Sequence, residues 1–242
     1  MKIVAIIQAR MGSTRLPGKV MKTVNGKTLL EYQLERVKRS KLIDEVIIAT
    51  TNKEKEQPII DLCKKLSIRY YSGSENDVLS RYYEAAKKYD GDIIVRLTSD
   101  CPLIDPEVID IVIKQYLDNS SYDYASNTLV RTYPRGMDTS VFSFEILEKM
   151  NQAAKADSER EHVTLYITKR SEQYNLLNVK NNKDYSRFRL TVDTVEDFEL
   201  VSKIIQNLYP QNSLFTLNDI IVFLNQNPKL IKINEHIEQK KV

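Results

Sequence analysis

The sequence predicts an α/β fold with a mostly parallel central sheet, and three observations lead to that prediction. Short apolar, β-branched runs alternate along the chain with segments whose apolar residues recur at helical spacing. The runs lack polar alternation, which is typical of strands buried on both faces of a sheet. The chain has 242 residues, 42% of them hydrophobic, which is enough for one domain with a substantial core. We therefore expect strand–helix–strand units with right-handed crossovers and helices on both sides of the sheet.

The first half of the chain shows this alternation most regularly. An Asn25-Gly26 turn precedes the first amphipathic segment. Asn76 or Asp77 is expected to cap the third helix, and Asp105 the fourth, which begins with a proline. The predicted strands cover residues 3–7, 44–51, 68–71 and 92–97, and the predicted helices cover 28–39, 55–66, 78–89 and 106–117.

The second half is less regular, and the stretch near 131–180 is expected to form a small lobe of the same domain. Ser158 and Glu161 have the spacing of a capping box, and Thr194 and Thr216 are placed as N-caps. From Asn234 onward the chain is polar and is expected to fray. Predicted strands cover 123–127, 139–144 and 189–192, and predicted helices cover 144–154, a segment from 157, a segment after 194, and 216–225.

The composition argues against several classes of protein. The formal net charge is only +3, and apart from Lys240-Lys241 the cations are mixed with Asp and Glu, so a nucleic-acid partner is not expected. No apolar run approaches the roughly 18 residues of a membrane span. A strand starts almost at once, leaving no room for a signal peptide, so we expect a cytoplasmic protein. Cys63 and Cys101 lie far apart and are interpreted as buried free thiols in a reducing compartment.

The loop after the first strand is rich in positive charge. It holds Arg10, Arg15 and Lys19, with glycines that let the backbone approach a ligand. Three cations in ten residues suit a polyphosphate, although a solvated basic loop would look similar. Its place at the carboxyl end of a central strand, where α/β folds bind ligands, favours the phosphate. A P-loop is excluded because five residues separate Gly12 from Gly18 and Val20 replaces Ser or Thr, and a Gly-x-Gly-x-x-Gly fingerprint is absent.

Two aspartates follow other apolar segments and could meet this loop. Asp100 comes just after the fourth predicted strand, where a carboxylate beside phosphates is a natural Mg²⁺ ligand; alternatively it is a turn aspartate before Pro102. Asp193 lies between the 189–192 segment and the following helix, and it could belong only to the capping sequence. Brought together without metal, the two carboxylates would repel and raise each other's pKa.

The segment Ala9-Arg10-Met11-Gly12-Ser13-Thr14-Arg15-Leu16-Pro17-Gly18-Lys19 resembles the signature loop of the sugar cytidylyltransferases. The resemblance is closest to the spore-coat-polysaccharide type, which is related to the CMP-KDO and CMP-sialate synthetases. It implies a three-layer nucleotidyltransferase fold and a loop that wraps the triphosphate of CTP. It also implies that CMP passes to a hydroxyl of an acidic sugar or similar acceptor, with release of pyrophosphate, in surface polysaccharide or glycan biosynthesis.

The resemblance assigns roles to individual residues. It makes Arg10, Arg15, Lys19 and Asp100 catalytic, with Asp100 and Asp193 as the Mg²⁺ ligands; we name no general base. Arg81 lies in a Gly-x-x-x-Asp-Val-Leu-x-Arg-Tyr stretch that abuts the nucleoside in relatives, although it could also pair with Glu75 or Glu84. The implied nucleotide contacts are Ala9, Arg10, Met11, Gly12, Ser13, Arg15, Lys19, Asn76, Asp77, Arg81, Thr98 and Ser99.

The acceptor and the partner chain are implied by the 131–180 stretch. In relatives, segments like Tyr133 to Asp138 and Glu159 to His162 border the sugar and help to build a dimer, so Arg135 would grip a carboxylate with Asp138 and His162 nearby. By itself, a histidine in a capped helix is more often structural. Exposed apolar groups on an isolated arm, such as Tyr133, Met137 and Phe142, would be buried by a second copy, which predicts a homodimer.

Two other functions stay open at this point. Glycosyltransferases of related fold usually carry Asp-x-Asp where this chain has Thr98-Ser99-Asp100, which disfavours that activity. A non-catalytic nucleotide-binding module would not require the two aspartates together with the three loop cations. The sequence does not identify the acceptor.

Overall fold

The computed structural model describes residues 1–239, so the Lys240-Lys241 pair lies outside the described residues. Seven strands form one sheet in the order β5-β4-β1-β6-β8-β7-β9, and β2 and β3 form a separate hairpin. The strands are β1 Ile3–Gln8, β2 Thr23–Val24, β3 Lys27–Thr28, β4 Glu45–Thr51, β5 Arg69–Gly73, β6 Ile93–Thr98, β7 Tyr124–Ser126, β8 Ser140–Ser143 and β9 Leu176–Asn178. The helices are α1 Leu29–Val37, α2 Gln57–Lys65, α3 Val78–Lys88, α4 Pro106–Leu117, α5 Phe144–Ala153, α6 Asp157–Glu161, α7 Leu165–Thr168, α8 Val195–Leu208, α9 Leu217–Gln226 and α10 Pro228–Ile231.

The sheet is mostly parallel, as predicted. Strand β1 pairs in parallel with β4 and β6, and β4 with β5, so these four strands end at the same edge. Strand β8 runs antiparallel to both β6 and β7, and β9 pairs in parallel with β7 at the far side. The carboxyl ends of β1 and β6 are direct neighbours through Gln8 and Thr98. The loops that follow these two strands are therefore adjacent.

Both faces of the sheet are covered because successive strand residues point to opposite sides. Ile3, Ala5 and Ile7 pack in a cluster with α1, α2 and α4. Val4 and Ile6 pack on the other side in a cluster with α3 and α5. This two-sided burial is the physical reason that the strands read as continuous apolar runs.

A third cluster lies beside the main core and includes part of the basic loop. Leu16 of that loop packs with Tyr133, Met137, Leu190 and apolar residues of α8 and α9. Tyr133, Met137 and Phe142 are buried within the single chain, so they supply no exposed surface for a partner. The burial argument for a dimer is therefore wrong, and the homodimer itself stays a prediction. The 131–180 stretch contributes β8 and β9 to the central sheet.

Several local predictions are confirmed by the capping contacts. The side chains of Asp77, Asp105, Thr194 and Thr216 each accept a backbone N–H at the start of the expected helix. Thr28, which was not predicted as a cap, does the same for α1. Cys63 and Cys101 are both buried and free. No helix within residues 1–239 is long and apolar enough to cross a membrane.

Other local predictions are wrong for identifiable reasons. The 189–192 segment is extended, but Leu190 N donates to Arg135 O and Val192 N to Asp100 O, so it bonds two different loops and forms no regular strand. The capping box at Ser158 does not form because α6 already begins at Asp157. Strand β9 and helix α10 were not anticipated. The start of the polar C-terminal segment does not fray, since Asn234 is buried and donates to Arg189 O and Asp197.

Candidate functional site

The loop after β1 folds back on Met11. Ser13 N and Gly18 N both donate to Met11 O, each at 3.0 Å. Gly18 has φ +65°, a left-handed conformation that suits glycine, and this lets the chain turn into the short helix Lys19–Met21. Arg10 and Arg15 are exposed, whereas the Lys19 side chain is only 14% exposed and lies against residues 192–193. The loop thus carries two solvent-facing cations and one partly buried cation.

Lys19 joins the loop to both predicted metal ligands. Its Nζ donates to Asp193 Oδ1 at 2.8 Å and to Val192 O at 2.7 Å, and it lies 4.0 Å from Asp100 Oδ2. Arg15 Nη2 lies 3.1 Å from Asp193 Oδ2. The structure therefore brings Arg15, Lys19, Asp100 and Asp193 together at the carboxyl edge of the sheet.

Backbone contacts hold the two aspartate segments side by side. Asp100 O accepts Val192 N at 2.8 Å and Thr191 Oγ1 at 3.1 Å. Because the Lys19 ammonium contacts both carboxylates, the two carboxylates face the same space at the edge of the sheet. The sequence prediction that these distant aspartates converge is consistent with this geometry.

Asp193 is supported by a residue that the sequence analysis did not select as functional. Buried Arg189 donates from Nη2 to Asp193 Oδ2 at 2.9 Å and also pairs through Nε and Nη2 with Asp197. Asp197 is fully buried and accepts the backbone N–H groups of Asp193 and Thr194. A cation between apolar residues, with acids four and eight residues later, is the signal that could have identified this network.

The pKa of Asp193 is lowered, so the expectation that the two carboxylates raise each other's pKa is wrong for this residue. Burial acts to raise it, but Lys19, Arg15 and Arg189 stabilise the ionised form and hold the pKa below its ordinary value of 3.8. The cations decide the sign because three of them contact one carboxylate.

The donor set fits Mg²⁺ only in combination with a ligand that brings further oxygens. Within residues 1–239 no group of three or more His, Cys, Asp or Glu side chains is arranged to hold a metal. Among the contacts with residues 1–239, the Asp100 side chain makes only long ones, with the Cys101 thiol at 3.5 Å and with Lys19 at 4.0 Å, so it retains oxygen lone pairs for a cation. Asp193 already faces three cations. Since Mg²⁺ takes one or two carboxylates plus phosphate oxygens, the site fits if Lys19 moves away from Asp193.

The predicted nucleoside side is built mainly from groups that already have protein partners. Arg81 is 2% exposed; its Nη1 donates to Ser74 O at 3.0 Å, while its Nε is buried and has no hydrogen-bond partner in the described part of the chain. Burial lowers the pKa of Arg81. Glu75 forms its ion pair with Lys55, at 2.8 Å, and within residues 1–239 neither it nor Glu84 forms one with Arg81.

The remaining residues predicted to contact the nucleotide differ in whether they already have partners within the protein. Asn76 is exposed. Asp77 accepts Ser80 N and also Arg160 Nε and Nη2, at 3.0 and 2.5 Å, so its carboxylate is engaged. Ala9, Thr98 and Ser99 lie at the sheet edge, where Ala9 N donates to Ala49 O and Ser99 N to Gln8 O, while Thr98 O accepts Gln33 Nε2.

On the predicted acceptor side, Arg135 offers an anion-binding group. It is half-buried, its backbone N–H and C=O bond Phe188 and Leu190, and it forms no ion pair among the described residues. Burial and then the charge of Arg131 lower its pKa. Asp138 is held by both guanidinium nitrogens of Arg131, at 2.6 and 2.8 Å, a pairing that the sequence analysis missed.

The third predicted acceptor residue, His162, lies at the end of a short helix. It ends α6, whose Arg160 binds Asp77, and its neighbour Val163 packs on the α3 face of the sheet. A position of His162 near Arg135 and Asp138 stays a prediction, and Arg135 itself lies in the loop that contacts residues 188–190.

A protein-family model described as cytidylyltransferase matches residues 4–238 of this chain. The spore coat polysaccharide biosynthesis protein SpsF of Bacillus subtilis is 35% identical over 233 residues, covering 93% of this chain and 95% of its own. An uncharacterized protein of Methanocaldococcus jannaschii is 40% identical over 242 residues, covering 99% of this chain and 97% of its own.

Two solved structures agree with the fold. A cytidylyltransferase from Leptospira borgpetersenii has a TM-score of 0.92 and 37% identity, covering 100% of both chains. A CMP:2-keto-3-deoxy-manno-octonic acid synthetase complexed with CTP has a TM-score of 0.67 at 19% identity, covering 86% of this chain and 100% of its own. The second likeness bears on the fold alone.

Proposed function

This chain belongs to the cytidylyltransferase family, whose members transfer CMP from CTP, and we propose that its acceptor is the hydroxyl of an acidic sugar in surface polysaccharide or glycan biosynthesis. The observation that carries the proposal is the meeting of the loop cations with Asp100 and Asp193 at one edge of the sheet. The name of the 35%-identical Bacillus subtilis relative supports a role in polysaccharide biosynthesis.

The loop cations would bind the triphosphate and stabilise the pyrophosphate as it leaves. Phosphoryl-type transfer needs positioning and charge neutralisation more than covalent participation by the protein. Arg10 is exposed and can reach phosphate oxygens directly, whereas Arg15 and Lys19 can exchange their contacts with Asp193 for contacts with a phosphate. Each of these contacts would be charge-assisted and therefore strong.

Mg²⁺ would be held by Asp100 and Asp193 together with phosphate oxygens. Bound there, it would supply Lewis-acid polarisation of a phosphate oxygen. The protein's part is to keep Asp100 uncommitted and to fix Asp193 through Arg189 and Asp197. In this proposal Lys19 must leave Asp193 Oδ1 when the nucleotide binds.

Arg135 would select an acceptor that carries a carboxylate. Its guanidinium has no protein counter-ion among the described residues, and it lies in the loop that contacts the 188–192 segment. Burial and the nearby charge of Arg131 lower the pKa of Arg135, and a bound anion would stabilise the charged guanidinium. The homodimer and a cytoplasmic location complete the proposal; the first rests on the family resemblance, and the second on the two free cysteines.

The test is pyrophosphate release from CTP in the presence of a panel of 2-keto sugar acids, with neutral sugars as the matched controls. We expect release with CTP and an acidic acceptor, and much less with ATP or GTP, because a site whose buried polar groups fit cytosine leaves them unpaired with another base. Equal turnover of CTP and ATP, or transfer from a ready-made nucleotide sugar without pyrophosphate release, would contradict the proposal.

A further inference from the structure

A buried carboxylate, Glu56, lies directly behind the basic loop and is not part of the site described above. It is the last residue of the short helical turn Glu54–Glu56, which connects β4 to α2. Its side chain is fully buried. The hydrogen-bond partners that the structure gives it are all neutral. Burying a carboxylate among neutral groups is costly, and an apolar residue would fill the same space without that cost.

The partners of Glu56 connect the loop to the central sheet. Met11 N donates to Glu56 Oε2 at 2.7 Å. Thr51 Oγ1 donates to Oε1 at 3.1 Å, and Thr50 Oγ1 lies at a longer 3.5 Å from Oε2. Both threonines end β4. The carboxylate therefore links the start of the loop to the edge of the sheet.

The contact with Met11 controls more than one residue. A peptide group is planar, so fixing the N–H of Met11 fixes the orientation of the peptide that joins it to Arg10. Met11 O in turn accepts Ser13 N and Gly18 N. The positions of Ser13 and Gly18 thus depend on the orientation of Met11. Glu56, which lies outside the loop, holds Met11 in that orientation.

The same turn touches the predicted nucleoside side as well. Lys55, next to Glu56, forms the ion pair with Glu75, and its Nζ would lie 2.9 Å from a Cβ added at Gly12. Burial lowers the pKa of Arg81, and the charge of Glu56 acts in the opposite direction. Glu56 is therefore close enough to influence both segments that would enclose the nucleotide.

We propose that Glu56 is a positioning residue of the nucleotide-binding loop, which it holds in its binding conformation through the Met11 N–H. The proposal deepens the proposed function and rests on it, since it assumes that the loop binds CTP. It assigns Glu56 no contact with the nucleotide. What matters is an oxygen acceptor at the right distance, rather than the negative charge.

The experiment compares Glu56→Ala and Glu56→Gln with Glu54→Gln, an exposed acid of the same turn. CTP affinity is measured by calorimetry with Mg²⁺, and hydrogen exchange of the Met11 amide is measured without nucleotide. We expect Glu56→Ala to weaken CTP binding about tenfold or more and to speed exchange at Met11. Glu56→Gln should retain most of both properties, because its amide oxygen can accept Met11 N–H while the threonine hydroxyls can donate or accept. Glu54→Gln should match wild type.

Several results would overturn the assignment. Unchanged CTP affinity in folded Glu56→Ala, even with a lower melting temperature, would show a role in stability alone. Equal losses in the Gln and Ala variants would show that charge, and not the position of an acceptor, is what matters. If Glu56→Ala does not fold, Glu56→Asp, one methylene too short to reach Met11, takes its place and is expected to show the same loss of affinity. Failure of wild type to bind CTP would instead contradict the proposed function, while exchange at Met11 would still report on Glu56.

Discussion

Asp100 and Asp193 are chemically identical side chains at the same edge of the sheet, yet their surroundings differ greatly. The Asp193 side chain is 10% exposed and contacts Lys19, Arg15 and Arg189, whereas the Asp100 side chain is 26% exposed and has only long contacts with the described residues. The comparison teaches that two carboxylates proposed to bind one metal need not have equivalent surroundings. The Asp193 carboxylate is held in place by Arg189, and its Oδ1 is occupied by the Lys19 ammonium. The Asp100 carboxylate can accept a cation without first losing a close partner.

The largest effect expected is on turnover, and here the two aspartates should look alike. Asp100→Asn and Asp193→Asn are each expected to reduce kcat by roughly 10²-fold or more, because each would remove a ligand from the proposed Mg²⁺ that polarises the reacting phosphate. The double variant should lose little beyond either single one, since both act on the same ion. Pyrophosphate release measures all three. Multiplicative losses in the double variant would show that the two carboxylates act separately.

The two aspartate variants should differ in their free energy of unfolding, although their losses of turnover are alike. Asp193→Asn breaks a buried cluster and leaves its cations under-compensated, so the free energy of unfolding should fall by about 3 kcal/mol. Asp100→Asn removes a partly exposed group with weak contacts and should change it by less than about 1 kcal/mol. Urea denaturation of both variants checks this difference. Equal destabilisation would mean that the contacts of Asp193 contribute no more than those of Asp100.

Acid stability gives a further contrast with a defined sign. The folded-state pKa of Asp193 lies below its ordinary value of 3.8, so its stabilisation is present above that pH and is lost as the pH falls through the lowered pKa. In Asp193→Asn the unfolding free energy should therefore depend less on pH below about pH 4 than it does in wild type. Asp100→Asn serves as the comparison. A wild-type slope in Asp193→Asn would exclude this residue as a source of the acid dependence.

A variant of the proposed acceptor site should change acceptor binding without changing the contacts of the two aspartates. Arg135→Ala is expected to raise KM for the acidic acceptor about tenfold while CTP affinity stays the same, because the lost contact is with the acceptor carboxylate. Arg187→Ala, a change at an exposed arginine, is the matched control. Arg135→Lys should restore little, since an ammonium cannot make the two parallel hydrogen bonds of a guanidinium. An unchanged acceptor KM would remove Arg135 from the acceptor site.

The difference between the aspartates also marks what the sequence could and could not predict. The strands and the caps at Asp77 and Thr194 follow from local patterns. The approach of Asp100 to Asp193 is expected from two strands that end at one edge, but the 189–192 segment is no regular strand, and it meets the Asp100 loop through the hydrogen bond from Val192 N to Asp100 O. The ion pairs of Arg189 and of Arg131 depend on contacts between loops, which periodicity does not encode.

Contacts between segments that are distant in sequence also explain why several of the sequence predictions are wrong. The 189–192 segment has a strand-like composition, but its hydrogen-bond partners are the Arg135 and Asp100 loops. Tyr133, Met137 and Phe142 are covered by packing within the chain that could not be seen in the sequence. Glu56 reads as an ordinary polar residue near a helix start, and only its burial beneath Met11 distinguishes it.

The most direct test of this account is the affinity for Mn²⁺, used as a paramagnetic substitute for Mg²⁺ and measured by electron paramagnetic resonance with and without CTP. With Lys19 on Asp193 Oδ1, wild type should bind the ion weakly alone and at least about tenfold more tightly with CTP, because the phosphates add ligands and attract the ammonium. Lys19→Met should bind the ion more tightly than wild type without CTP and should show low kcat. Equal affinity in wild type with and without CTP, or no gain in Lys19→Met, would contradict the claim that Lys19 covers Asp193 until the nucleotide arrives.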